Sequence, residues 1–310
     1  MKTNPSFRIF KLSTLASLGI AVVAALVTQP SLLGADTIVF ATDEPGGKIV
    51  RVNLTTNTVT TVLTVDANPD SLVFSGSNIL FTEVLQGTLA QFNPMTNTVT
   101  PIATGFSQPR DLILDPGGAS VLVADFVANQ IDRVNLTTHA VTPLFTATTT
   151  SGIDGLAYDA SGNLFAVLGG SQIAQINPVT GAILNTTTTF DGFLDGLTFD
   201  PSTGKLWVGS GNGAIWEVPT SLTTETSFPA GSIDGLVADG KGHLFLANFG
   251  VNVQEFTIAT STLTDLTAVP GIDDLAPVVG RGAPTPDYMS TLWLALPCGI
   301  MFLVRRFCIA

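Results

Sequence analysis

One feature narrows the fold more than any other: a leucine that opens an apolar stretch recurs as Leu72, Leu112, Leu156, Leu197, Leu236 and Leu275, at spacings of 40, 44, 41, 39 and 39 residues. A period near forty, filled with short strands and turns, is the mark of a propeller, in which each repeat is one blade of a ring. The clearest unit shows the plan. Gly152-Ile153-Asp154-Gly155-Leu156 opens a strand, Asp159-Ala160-Ser161-Gly162 turns, and Asn163 to Leu168 runs back. Gln172 to Asn177 makes a third strand, Pro178-Val179-Thr180-Gly181 a hairpin, and Ala182 to Thr187 a Thr-rich outer strand. The end pieces are complementary, since Thr37 to Val65 supplies three strands and Gly271 to Leu275 one innermost strand. Joined in one blade, they close the ring and leave no open sheet edge. The expectation is an all-β, six-bladed β-propeller over residues 36–282 with no second domain; a seventh, decayed blade competes, but no leftover segment is long enough to supply it.

Charge then narrows the chemistry. Within 36–282, 7 basic residues face 23 acidic ones, 18 of them Asp, for a net charge near −16. Such a surface opposes phosphate binding, so nucleic acid is not an expected partner. Asp is a residue of turns and of oxygen-ligand metal sites. Two residues before each opening leucine stand Asp70, Arg110, Asp154, Asp195, Asp234 and Asp273. Equivalent positions of a propeller converge on its axis, so five carboxylates and one guanidinium would face one channel mouth, where their repulsion calls for a cation or for Arg110. One reading makes the five Asp residues candidate ligands of a calcium ion, which takes roughly six to eight oxygens. The other makes the Asp-Gly steps tight turns into the strands, with Asp bonded to backbone amides.

The loops between second and third strands should open on the same face as the Asp ring, because strands alternate in direction. Arg110, Phe126, Asn129, Asn212, Phe249 and Asn252 are the candidate binding residues there. Two aromatics beside amide side chains suit a carbohydrate or peptide ligand; packing of the rings under a neighbouring loop is the competing reading. The two histidines, His139 and His243, fall in turns of the opposite face, out of reach of a substrate at the ring. Asn53-Leu54-Thr55-Thr56 and Asn135-Leu136-Thr137-Thr138 read as hairpin turns, sitting where Asn93-Pro94 and Asn177-Pro178 sit in other repeats. The sequence holds no phosphate loop, Ser-His-Asp spacing or Cys/His zinc cluster, and no catalytic residue is assigned.

Both ends read as export signals. Lys2, Arg8 and Lys11 precede an apolar run from Leu15 to Val27, and small residues lead to Ala35. This is the pattern of a secretory signal over 1–35, with an uncleaved anchor as the alternative. At the other end Pro286-Asp287, then Ser290-Thr291-Leu292, precede an apolar stretch and the pair Arg305-Arg306. A helix from Met289 to Val304 would span about 24 Å, short of the ~30 Å hydrocarbon core, and the arginines place the body on the far side of the membrane from the cytoplasm.

That C-terminal stretch, 283–310, resembles the VPDSG variant of the PEP-CTERM sorting signals, with Thr285, Tyr288 and Met289 departing from the pattern. The resemblance implies a surface protein of a Gram-negative bacterium, held briefly in the membrane by the helix until an exosortase-type processing enzyme removes it. The body, in Gln108 to Asp125, Gly152 to Val167 and Ser232 to Asn248, resembles the six-bladed group of NHL repeats, streptogramin lyases and the senescence-marker-protein/gluconolactonase family. In the gluconolactonase-like members, the resemblance implies, an Asp of an Asp-Gly step binds metal and assists catalysis together with inner-strand Glu and Asn. Asp154, Asp195 and Asp234 match the step, whereas no inner-strand Glu or Asn-Gly-Leu segment is present. The streptogramin lyases use a histidine base, and neither histidine here is placed for it. The expected function is therefore a non-catalytic binding or scaffold module at the cell surface; the alternative is a calcium-dependent lactonase or related hydrolase acting through the Asp ring.

Overall fold

Short runs of β-branched and apolar residues alternating with polar ones, such as Lys48-Ile49-Val50-Arg51-Val52-Asn53, favour extended backbone, and turn residues interrupt them before any run grows long. In the computed structural model the described residues are 36–276, apart from 149–151, 188 and 191. Among them, 24 strands, β1 to β24 in chain order, form six antiparallel sheets of four. The innermost strands are β4 (Pro69–Ser75), β8 (Pro109–Leu114), β12 (Ile153–Tyr158), β16 (Leu194–Asp200), β20 (Ile233–Ala238) and β24 (Ile272–Leu275). The first blade is composite: β24 pairs with β1 (Ile38–Asp43), followed by β2 (Lys48–Asn53) and β3 (Thr58–Thr64). The two ends of the repeat array thus share a blade, and the protein is a six-bladed β-propeller. The expected export segments, 1–35 and 283–310 with Pro286, Asp287, Ser290, Thr291, Arg305 and Arg306, lie outside the described residues. No helix among the described residues is long and apolar enough to cross a membrane.

Apolar packing is divided among the blade interfaces. Phe40 and Ile49 of the first blade meet Leu72, Ile79 and Phe81 of the second, and Trp207 and Ile215 of the fifth meet Leu236, Leu246 and Phe256 of the sixth. Second strands such as β13 (Leu164–Leu168) are buried throughout, while outer strands such as β3 are exposed over most of their length. The hairpins before the outer strands are built by Asn. The Asn53 side chain accepts from the N–H groups of Thr55 and Thr56, both at 3.0 Å, and Asn135 repeats the arrangement with Thr137 and Thr138. His139 has φ +61°, the left-handed position that Asn57 and Asn97 fill in other blades, and is therefore a turn residue.

The Asp-Gly steps are not turns. Asp154-Gly155, Asp195-Gly196 and Asp234-Gly235 lie inside β12, β16 and β20, and none of these glycines has a positive φ. Every inner strand carries the same register shift there: Ile153 faces Leu168 while Leu156 faces Ala166, and the equivalent pairs in the other five blades also insert one extra residue. Each step is a β-bulge, which turns a side chain that pleating would bury toward the axis. Glycine follows because adjacent inner strands approach closely. A Cβ on Gly196 would stand 2.6 Å from the carbonyl oxygen of Asp234 and 2.9 Å from the Cα of Gly235. The turn reading does hold elsewhere, at Asp159 and Asp239, whose carboxylates accept backbone N–H groups two and four residues on.

Candidate functional site

The six bulges place their side chains around the mouth of an axial cavity of about 310 Å3. Asp70, Asp154, Asp195, Asp234 and Asp273 all line it, as does Arg110. Two further carboxylates, Asp111 and Asp274, come from the second bulge position and escaped the sequence reading, and Glu44 stands at the rim. The signal for the first two was present: two consecutive non-apolar residues before each leucine break strict alternation, which is how a bulge looks in sequence.

These acids do different work. Asp111 braces three blades, accepting from Ser71 Oγ at 2.9 Å, from the Leu112 N–H at 2.7 Å and from the Leu156 N–H at 2.5 Å. Fully buried Thr82 acts similarly, accepting from the Ser71 N–H at 3.0 Å and donating to the Arg110 carbonyl at 2.9 Å. Thr42 makes the equivalent link, accepting from the Asp274 N–H at 2.9 Å and donating to the Asp70 carbonyl. Arg110 places Nη1 3.2 Å from Asp154 Oδ2 and lies over the Phe126 ring at 4.1 Å. Asp195 and Asp273 both stand beside Asp234, a like charge that adds to the upward push on their carboxyls.

Burial, followed by mutual repulsion, pushes the carboxyls upward. Asp154 rises to about 7, lifted by burial against the opposing pull of Arg110, and Asp274 also rises to about 7 through burial. Asp70, Asp111, Asp195 and Asp273 are raised well above the usual carboxylate range for the same leading reason. Burial works against the Arg110 charge, but Asp154, Asp70, Asp195 and Asp234 outweigh it and hold the guanidinium charged.

Among the described residues no three Asp, Glu, His or Cys side chains come close enough to hold one ion, whereas calcium needs roughly six to eight converging oxygens.

The turns between second and third strands lie on the mouth face, as the Phe126 N–H bond to the Gln108 carbonyl and the Phe249 N–H bond to the Ser232 carbonyl show. Of the residues expected to bind there, Phe249 lines the cavity and is 50% exposed, whereas Phe126 is half-buried beneath Arg110 and against Gly152. Asn129 accepts from the Gly152 N–H at 2.8 Å. Asn252 is buried, accepting from Asn248 Nδ2 and donating to Asp265. Asn212 is exposed in its turn, packed beside Gly192. His243 is elsewhere, its Nδ1 2.6 Å from Glu255 Oε1.

No protein-family profile and no curated protein matches this chain. Solved structures do. A nidogen/laminin complex contains a chain similar to it at TM-score 0.67 and 16% identity, covering 81% of this chain and 100% of that one. An inactive virginiamycin B lyase from Staphylococcus aureus with quinupristin is similar at TM-score 0.58 and 16% identity, over 76% of this chain and 86% of the other. A streptogramin B lyase follows at TM-score 0.55 and 16% identity, over 66% and 70%. The likeness is one of fold. It places the chain beside a lyase and a nidogen/laminin complex alike, and activity has to be argued from the site.

Proposed function

We propose that the chain is an exported propeller that binds a ligand in its axial cavity and presents it at the cell surface without converting it. The observation that carries this reading is the cavity itself, walled by eight acidic side chains around a single arginine that is already engaged with Asp154. Asp111 and Arg110 are committed to holding blades and neighbours, as expected of a built binding wall. Export rests on the sequence of the two ends: a signal over 1–35, and a sorting segment over 283–310 that an exosortase-type enzyme of a Gram-negative host would process after transient membrane insertion. The fold suits that tether. β1 runs toward the mouth and β24 away from it, Asp43 pairing with Ile272 at the mouth and the Ala276 N–H bonding the Phe40 carbonyl partway along β1. The mouth would then point away from the membrane. The test is fractionation of cells expressing the full chain, with and without Arg305 and Arg306: surface display of a shortened product supports the reading, and cytoplasmic retention of the intact chain overturns it.

A second reading has one observation in its favour. A carboxyl raised to about 7 in a cavity, as at Asp154, is matched to general acid–base work near neutral pH. Hydrolysis of a lactone or ester by Asp154, Asp195 or Asp234 would be revealed by turnover that is lost in Asp154→Asn while the fold is retained.

A further inference from the structure

We infer that the axial cavity takes an organic cation, a primary ammonium or guanidinium group carried on an aliphatic chain, with Asp273, Asp195 and Asp70 accepting its N–H donors. The inference deepens the binding-module reading and rests on it.

Asp273 carries the argument. It is 4% exposed and lines the cavity, another acid, Asp234, stands beside it, and among the described residues no side-chain donor bonds its carboxyl. With both ionised, the pair is left without a cation, a costly state for a buried carboxylate. Asp70 likewise lines the cavity, and no side-chain donor of the described residues bonds its carboxylate. Arg110 acts on Asp70 and Asp195 only through space: its ion pair is with Asp154, and its guanidinium is stacked over Phe126.

The spacing selects the kind of cation. A bare divalent ion needs oxygens converging on one point, and the described carboxyls do not converge. An ammonium carries three donors and a guanidinium five, all pointing outward, so they suit carboxylates spread around a ring. The residues after the leucines add Val73, Ile113 and Val237 to the lining beside one hydroxyl, Thr198, a mostly apolar layer that matches an aliphatic portion. A volume of about 310 Å3 sits at the small end of ligand pockets. Phe249, half exposed in the lining, adds an aromatic ring with which a cation can interact.

Two sources carry this chemistry, a free alkylamine and the lysine or arginine side chain of another protein. Calorimetric titration of the full chain at about pH 8, well above the ordinary carboxylate range, distinguishes them. The probes are pentylamine, pentanol, calcium chloride and a lysine blocked at both its amino and carboxyl ends. Pentylamine or the blocked lysine should bind at one site per chain, with pentanol at least about tenfold weaker. Asp273→Asn and Asp195→Asn, which are isosteric and relieve repulsion, should each weaken binding at least about tenfold while melting no earlier than the parent. Tighter binding of the blocked lysine assigns the site to a protein partner, and tighter binding of the free amine assigns it to a small molecule; both support the inference. Failure of both amines to bind, equal affinity for pentanol, preference for calcium over the amines, or unchanged affinity in both variants overturns it. Capture of a neutral saccharide in place of amines would also overturn it while leaving the binding-module reading intact. Turnover of a lactone or ester lost in Asp154→Asn would instead sink that reading.

Discussion

Single residues of this protein are constrained by neighbours in other blades. Gly196 faces the Asp234 carbonyl oxygen of the next inner strand, a backbone atom that cannot rotate away. Gly196→Ala is expected to cost about 3 kcal/mol, the upper part of the range for overpacking, read as a lowered denaturant midpoint. Gly204→Ala, where a Cβ would meet nothing but φ is +70°, is limited to backbone strain and should cost about 1 kcal/mol. Thr82→Val removes the partner of a buried N–H and a buried carbonyl together, so a loss of about 1–3 kcal/mol is expected. Thr82→Ser should restore most of it. The Asp at each bulge was legible as a repeated position, and so was its convergence on the axis. What the residue pattern left open was its local geometry, because Asp-Gly is equally the spelling of a turn. The neighbouring strand decides between them: the glycine at that step is needed for close approach, with no left-handed φ involved.

At the scale of the strand, the bulge is the device that turns a structural repeat into a site. Leu72, Leu156 and Leu236 remain buried in the blade interfaces while the residues before them face the axis. The resulting crowd of acids makes stability depend on pH in a stated direction. A carboxyl raised in the folded state holds its proton where the unfolded chain has lost it. Folding is therefore undisturbed below the unfolded value near 4 and progressively weakened as pH climbs toward the folded values. With Asp154 and Asp274 at about 7, the melting temperature should fall between about pH 5 and 8, by at least the roughly 2–4 °C that 1 kcal/mol produces in a domain of this order. Asp115 is lowered by its bonds to Arg133, Ser120 and Tyr158, which outweigh burial, and it acts in the opposite sense only below about pH 4. Asp195→Asn should raise the melting temperature at about pH 8 and make little difference at about pH 5. A melting temperature that rises with pH through this window would contradict the assignment of the ring.

Across the whole molecule, closure depends on one short strand. β24 contributes the innermost strand of the first blade and bonds back through the Ala276 N–H to the Phe40 carbonyl at 2.8 Å. A chain ending at residue 270 should lose cooperative unfolding, because it uncovers the edge of β1 and removes Ile272 and Leu275 from the interface they share with Val39 and Phe245. A circular permutant that joins residue 276 to residue 36 through a flexible linker and opens the chain between residues 146 and 153 should fold, since both joined ends belong to one blade. Loss of near-native circular dichroism in the permutant, or its retention in the truncated chain, would show that the shared blade is dispensable.

By itself the sequence determined the number of blades, their strand order and the pairing of the two ends, because a forty-residue period with period-two alternation inside it has few ways to bury its apolar faces. It also determined which position of each repeat reaches the axis. Only the tertiary structure decided which acids brace the wall and which are left facing the cavity. Ser71 meets Asp111, a bond between residues 40 apart in the chain, and Asp273 stands beside Asp234. Those pairings arise from six strands converging on one axis, and a local pattern carries no record of the distance between residues from different blades.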